Sequence, residues 1–380
     1  MTLDRPIGRP IRAAFVSHYT HLRMGGQRSM ALLIEHLDRR IVEPLAICPG
    51  PGELTDHLTA LGCPVVHISL HPIKLRTLCP VWDSARRIRA VVRQRAIDIL
   101  APDAPRDALT CGLAKLGTPA KLVWFVRLTR RDPLDPLLER LADGFIGDSD
   151  AARQRFSSSA RVTARYRTIV GGADLERFRP PEDRAALRRE LGLPDDRFVL
   201  LFVGQVTRPK GVMDLVEAFG LLRAAPPRPL LLLVGTPHPP EIAGEIGARE
   251  DVRLLGQRDD VYRWMQAADV LVSGSHQHTE GMSRVLYEAM ACGAVPIATD
   301  IPGNRDAVTA ETGLLVPERS PEAIARAVTS LREHPDRLAA LRAQGIRRAR
   351  ETFDIRMHAR GVEAFYSELV PLRAPVDEPA

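Results

Sequence analysis

Thr279-Glu280-Gly281-Met282-Ser283-Arg284-Val285-Leu286-Tyr287-Glu288-Ala289-Met290-Ala291-Cys292-Gly293, followed by the apolar run Ala294-Val295-Pro296-Ile297-Ala298, organises this 380-residue chain. The stretch reads as a loop ending in an acid and a glycine, then a helix with Val285, Leu286, Ala289 and Met290 on its buried face. Gly293 stops the helix and a buried strand follows. Glu280 stands just before the helix, so it shares its position with the unpaired N–H groups of the first turn and the positive end of the helix dipole, where an anion fits. Glu288 lies up to ~12 Å further along if the rise is helical throughout. Among small and apolar neighbours an unpaired carboxylate is costly, so Glu288 is expected to have a partner.

Outward from this stretch the chain alternates strand-like and helical segments. In the first half, apolar runs at 12–17, 45–48, 65–68, 98–101, 122–126, 145–147 and 167–170 predict seven strands. Helices at 27–37, 82–94 and 135–142 separate some of them. Such alternation, with right-handed crossovers, predicts a doubly wound parallel sheet. Gly25-Gly26 opens the first helix and permits positive φ and close approach of a ligand to backbone; a plain tight turn is the alternative. Val170-Gly171-Gly172-Ala173-Asp174 leads to Phe178-Arg179-Pro180-Pro181, where periodicity breaks, which marks the domain boundary. Six further strands, at 198–203, 230–234, 252–255, 270–272, 295–298 and 313–316, predict a second parallel sheet. Three helices, at 321–333, 335–351 and 355–369, then close the chain, with a frayed tail beyond. The expected domains are residues 1–170, 171–352, and a C-terminal helix and tail over 353–380 that packs back on the first domain.

Composition narrows the functions. Hydrophobic residues make up 45% and charged residues 26%, so the chain is globular, and its length suits two domains. Residues 1–170 carry a net +10 and residues 171–380 a net −4, which directs an anionic partner to the first half. Phosphate, a membrane surface and nucleic acid all meet that charge, but aromatics are only 5% and no nucleic-acid module is present, so nucleic acid is not expected. The five cysteines have no paired spacing, which suits reduced thiols in a cytoplasm. No run approaches the roughly 18 apolar residues of a membrane span, so any membrane contact is peripheral, at the inner face.

Four smaller motifs have competing readings. Gly204-Gln205-Val206-Thr207-Arg208-Pro209-Lys210-Gly211 follows the first strand of the second sheet, where open α/β sheets bind ligands, and Arg208 and Lys210 can neutralise a diphosphate there. A solvated basic loop is the alternative. Asp148-Ser149-Asp150 is read as a helix cap in preference to a metal site. His276-Gln277-His278 is read as a polar cleft loop in preference to metal ligands. Arginines at 86, 87, 89, 93 and 95 share one helix; they make either a solvated face or a membrane-surface patch.

Taken together, 204–211 and 279–293 resemble the retaining glycosyltransferases of family 4, which have the GT-B fold of two facing Rossmann-like domains. That family carries Gly-Arg-x4-Lys-Gly and Glu-x7-Glu motifs; Lys210 and Gly211 match the first, and Glu280, Gly281, Glu288, Ala289, Met290 and Gly293 match the second. Gly25-Gly26, the stretch from Gly171 to Pro180, Gly303 and Thr312-Gly313-Leu314-Leu315-Val316-Pro317 resemble further family signatures.

The resemblance implies a retaining, metal-independent transfer of a hexose-type unit from a nucleotide diphosphate sugar, with no cofactor, to a glycan, lipid-linked or small-molecule acceptor. It implies that Lys210 and Arg208 meet the donor diphosphate beside Gly204 and Gln205, that Glu280 contacts the transferred sugar, and that backbone at Gly281, Met282, Ser283 and Arg284 meets phosphate or sugar. Glu288 would bind the ribose, while Gly25, Gly26 and Arg127 would line the donor-phosphate or acceptor side. Two residues depart from the pattern: Gln205 stands where the family has an arginine, and Arg127 where a strand commonly ends in histidine. A GT-B sugar-nucleotide epimerase and a catalytically impaired sugar-nucleotide-binding protein are the alternatives.

Overall fold

A computed structural model describes residues 9–156, 159–222, 228–247, 250–277 and 281–371. By its internal contacts the chain divides into two compact units, one formed by residues up to Gly171 together with those from Ile355 onward, the other by Gly172–Asp354.

The first unit holds seven strands: β1 (Ile11–Val16), β2 (Val42–Cys48), β3 (Val65–His67), β4 (Ile99–Pro102), β5 (Lys121–Val126), β6 (Gly144–Gly147) and β7 (Tyr166–Thr168). They form one parallel sheet in the order β3-β2-β1-β4-β5-β6-β7. The order reverses between β1 and β4, the place where doubly wound sheets open a crevice at their carboxyl ends. Alternation along β1 sorts its side chains between two cores. Ile11, Ala13 and Phe15 join the helix Gly25–His36, whereas Ala14 and Val16 join the face covered by the helices Leu78–Gln94 and Pro105–Lys115. The C-terminal helix Ile355–Leu369 belongs to the first of these cores through Val362, Phe365 and Tyr366. Its Glu363 accepts a hydrogen bond from the Asp38 N–H at 2.7 Å, fastening the helix to the end of the first crossover.

Differences from the sequence reading are local. The first helix starts at Gly25, two residues early, and neither Gly25 nor Gly26 is among the positive-φ glycines. Gly26 is instead constrained by space, since a Cβ there would stand 2.9 Å from Asp103 Oδ2. The helix expected to start at 82 begins at Leu78, following a 3-10 turn at Leu75–Thr77.

The second unit holds β8 (Val199–Val203), β9 (Leu230–Val234), β10 (Val252–Gly256), β11 (Val270–Ser273), β12 (Val295–Thr299) and β13 (Leu314–Val316). These pair in parallel in the order β10-β9-β8-β11-β12-β13. Strands buried on both faces must be apolar throughout, as Leu230-Leu231-Leu232-Leu233-Val234 is. The amino ends of β8 and β11 are joined through Asp269. Its carboxylate accepts from the Val199 N–H at 2.8 Å, from Arg188 at 2.8 Å and from Arg184 at 2.8 Å. Burial lowers the Arg184 pKa to about 10, against the pull of Asp269 in the other direction.

Removing this carboxylate strands two partly buried guanidinium groups and one backbone N–H. Asp269→Ala is therefore expected to destabilise the second unit by about 3–5 kcal/mol, the range for breaking one partner of a buried charge cluster, read as a lower urea midpoint.

Candidate active site

The turn after β8 and the turn after β11 meet at the carboxyl edge of the second sheet. Gly211 has φ of 69°, in the left-handed region, and a Cβ there would stand 2.0 Å from the Gly274 carbonyl oxygen. Only glycine satisfies both conditions. The contact is tightened on either side: the His276 N–H donates to the Pro209 carbonyl at 2.9 Å, and His276 Nε2 lies 2.9 Å from Asp214 Oδ2 on the following helix, Val212–Leu222. The structure thus joins the turn bearing Lys210 to the segment that runs toward Glu280. His276 belongs to this internal brace; His278, Thr279 and Glu280 lie outside the described residues.

Beyond that segment, Gly281 is held by a second close approach. A Cβ on Gly303, in the helix Pro302–Ala307, would stand 1.2 Å from the Gly281 carbonyl oxygen. The core helix of the opening motif then runs from Arg284 to Cys292, and Gly293 ends it with φ of 87° while its N–H donates to the Ala289 and Met290 carbonyls. Ser283, the N-cap, is buried, but its side chain makes no hydrogen bond to a first-turn N–H, and the first turn holds no acid. Met282 is buried beside it. This helix start keeps the electrostatic character of an anion site.

Glu288 has the partner that its burial demanded, and it is Arg284, one turn back, at 2.6 Å. Burial opposes the Arg284 charge, but Glu288 and Tyr287 outweigh that penalty and hold its pKa above the usual arginine value. The Arg284 side chain therefore acts on Glu288, a role the sequence reading did not give it. Spacing of i, i+4 could have revealed it. Burial, with the Glu288 charge second, pushes the Cys292 thiol up, leaving it an inert core residue.

The two cations of the β8 turn differ. Arg208, in the 3-10 turn Arg208–Lys210, is exposed and bonded to Glu245. Lys210 is half-buried beside Gly211, and Gln205 is exposed at the strand end. Gly204 has φ of 149° and packs against Gly235, whose Cβ would stand 1.7 Å from the Gly204 carbonyl oxygen.

In the first unit a second group of polar side chains gathers at the carboxyl ends of β1, β4 and β5. His18 Nδ1 lies 2.6 Å from Asp107 Oδ2, with side-chain exposures of 8% and 1%. Burial pushes the Asp107 carboxyl up to about 8, and Arg106, 3.7 Å away, pulls it part of the way back. Asp103 rises to about 6, again through burial, with Arg127 opposing the rise and Asp107 adding to it. Arg127 lies over the Phe125 ring at 5.5 Å, and its Nε is buried without a hydrogen-bond partner. Gln27 is also buried, and its Oε1 accepts no hydrogen bond. Sequence reasoning named Gly25, Gly26 and Arg127 for this edge but not His18, Asp103 or Asp107, because nothing in a chain separation of 89 residues announces a contact.

The remaining motifs resolve structurally. Ser149 accepts from the Ala152 N–H at 3.2 Å as an N-cap, and Asp150 accepts from the Thr168 hydroxyl at 2.7 Å. Arg89 donates to the Leu113 and Ala114 carbonyls, so part of the arginine-rich helix is fastening. Arg86 and Arg87 are exposed beside Leu78 and Trp82, each 50% exposed.

Comparison with known proteins places this geometry. The profile of glycosyl transferases group 1 matches residues 183–351, the span that contains the β8 turn and the helix of the opening motif. A lipopolysaccharide core biosynthesis mannosyltransferase, LpsB of Rhizobium meliloti (strain 1021), is 27% identical over 341 residues, covering 86% of this chain and 93% of the relative. A D-inositol 3-phosphate glycosyltransferase of Kineococcus radiotolerans is 35% identical over 233 residues, which is 55% of this chain and about half, 53%, of that relative's length. Among solved structures, Anabaena Alr3699/HepE in complex with UDP-glucose superposes with a TM-score of 0.79 at 20% identity, over 94% of this chain and 100% of the other. With two parallel α/β sheets, a C-terminal helix returning to the first, and the matched motif at the carboxyl edge of the second, the chain is a glycosyltransferase of the GT-B fold whose residues 183–351 match the glycosyl transferases group 1 family.

Proposed function

We propose that the chain transfers a hexose-type sugar from a nucleotide diphosphate donor to an acceptor hydroxyl with retention at the anomeric carbon, the donor lying at the carboxyl edge of the second sheet. The observation that carries this reading is the seating of Gly211 against Gly274, which joins the Lys210 turn to the segment approaching Glu280. Lys210 and the helix start at Ser283 and Arg284 supply positive potential where the diphosphate gains charge as it leaves. That supply supports a reaction without a metal or cofactor. Arg208 adds to it by swinging from Glu245; an exposed pair of that kind holds by roughly 1 kcal/mol or less, so the exchange costs little. Backbone at Gly204, Gln205, Gly281 and Met282 lines the donor, Glu280 meets the transferred sugar, and Glu288 receives the ribose hydroxyls.

In the transfer, the bond between the anomeric carbon and the phosphate oxygen breaks and its electron pair leaves with the diphosphate. The acceptor oxygen bonds to the same face of the carbon, and its proton passes to the departing phosphate oxygen. The acceptor is assigned to the basic first unit, and Gly25, Gly26 and Arg127, at its strand ends, are the candidate contacts to acceptor or donor phosphate. Support for a nucleotide sugar comes from the solved relative bound to UDP-glucose, and support for a hexose from the mannosyltransferase relative.

A peripheral membrane contact in the cytoplasm is part of the proposal. Among the described residues no helix is long and apolar enough to cross a membrane. Leu78 and Trp82 instead expose apolar surface beside Arg86 and Arg87, the pairing that anionic lipid surfaces attract.

Four measurements test these assignments. Lys210→Ala and Glu280→Ala are expected to lower transfer by about 100-fold or more with an unchanged melting curve, and full activity in either would sink the site assignment. The anomeric configuration of the product, read by proton NMR early in the reaction, is expected to match the donor; turnover of the donor without acceptor into an epimer would indicate the epimerase alternative. Glu288→Ala removes the carboxylate paired with the buried Arg284 and is expected to cost about 3 kcal/mol of stability in urea melts, besides weakening nucleotide binding. For the membrane contact, Trp82→Glu is expected to abolish co-sedimentation with phosphatidylglycerol-containing vesicles while leaving the fold intact.

A further inference from the structure

Backbone alone already ties the turn after β8 to the turn after β11. Gly211 against the Gly274 carbonyl sets the distance between them, and the His276 N–H, 2.9 Å from the Pro209 carbonyl oxygen, adds a hydrogen bond. Neither contact involves the His276 imidazole, so replacing the ring leaves both in place. The ring makes a further bond of its own: Nε2 lies 2.9 Å from Asp214 Oδ2, with side-chain exposures of 19% and 20%. Facing an ionised carboxylate, Nε2 carries a proton and donates it to the bond.

Asp214 stands where a negative charge opposes an anionic ligand. It is the acid in the first turn of Val212–Leu222, the helix that begins directly after Lys210 and Gly211. The N–H groups of a first turn and the positive end of the helix dipole attract an anion, as does a lysine beside them. From the third position of a helix an acid side chain can fold back to those N–H groups and occupy the place of that anion. Here it does not, because the carboxylate is turned to the segment after β11; among the described residues its ion-pair partner is His276, and no ion pair joins it to Lys210.

We propose that His276 sequesters the Asp214 carboxylate, keeping it from competing with the donor diphosphate for Lys210 and the helix start. This deepens the proposed function and rests on its placing of the diphosphate at the β8 turn. His276 and Asp214 are positioning residues, acting on the donor through that turn. A neutral imidazole fixes the direction of the carboxylate, and a protonated one also cancels its charge. Without the ring, the acid turns to the nearest cation and donors, which are the groups a diphosphate needs. The two partners are therefore unequal. Loss of His276 releases an acid, whereas loss of Asp214 removes it; a purely mechanical tie would suffer equally from either.

The test is calorimetric titration of the full chain with whichever of UDP, GDP and ADP the wild type binds most tightly. His276→Ala is expected to raise the Kd about tenfold, and the KM for the matching nucleotide sugar by a similar factor with kcat little changed. His276→Gln, whose amide can donate from the Nε2 position, is expected to stay within about threefold of wild type. Asp214→Ala is expected to stay within the same range, and adding it to His276→Ala is expected to restore binding to that range. Binding by His276→Ala within threefold of wild type, a tenfold loss in Asp214→Ala, or a double variant no better than His276→Ala would each overturn the proposal. If His276→Ala fails to fold, Asp214→Ala and the double variant decide on the same criteria, a tenfold loss in either overturning it. Lys210→Ala separates the underlying reading: an unchanged Kd there would overturn the placing of the diphosphate, whereas a loss there beside unchanged binding in His276→Ala would overturn sequestration alone.

Discussion

Backbone meets backbone where Gly211 lies against the Gly274 carbonyl, and the organisation of the second unit's functional edge depends on that contact. A parallel sheet delivers its loops to one edge but does not decide which loops touch. Here a left-handed glycine removes the side chain that would otherwise separate the turn after β8 from the turn after β11. Lys210 is carried next to the approach to Glu280 as a consequence. The brace between His276 and Asp214 then holds the second turn to the helix that starts from the first.

Gly303 repeats the device further along, bringing the helix after β12 onto the Gly281 carbonyl. The segment leading into the helix Arg284–Cys292 is therefore held by a contact that no larger residue could make. Such pinning suits a site that must stabilise charge as it develops, because donors already in place need not reorganise during reaction. Arg284 and Glu288 fit the same logic. Each is costly to bury alone, and together they hold the Arg284 charge and fix the Glu288 carboxylate in one orientation.

The first unit uses the same fold differently. Its carboxyl edge collects acids whose burial raises their pKa values, with Arg106 and Arg127 in partial compensation, so charge there is balanced over short distances despite the unit's net positive sequence. The positive excess lies elsewhere, partly in arginines such as Arg89 that fasten a helix to neighbouring carbonyls. Net charge alone thus pointed to an anionic partner for the half, while the strand ends themselves carry buried acids beside their arginines.

The sequence by itself determined both sheets, because apolar runs of fixed period, punctuated by glycine and proline, record strand and helix locally. Strand positions came out within a few residues throughout, as did the Gly293 stop and the Ser149 cap, which depend on neighbours in the chain. The turn after β8 and the helix Arg284–Cys292 were legible for the same reason, since their residues fall in two short stretches. Tertiary structure alone decided the rest. Gly26 is small because of Asp103, not because of a turn; Gly211 is small because of Gly274; and His18 finds Asp107 across 89 residues. Each of these is a contact between segments that only sheet order brings together, and the hydrophobic pattern that sets sheet order holds no information about which polar atoms will meet at its edge.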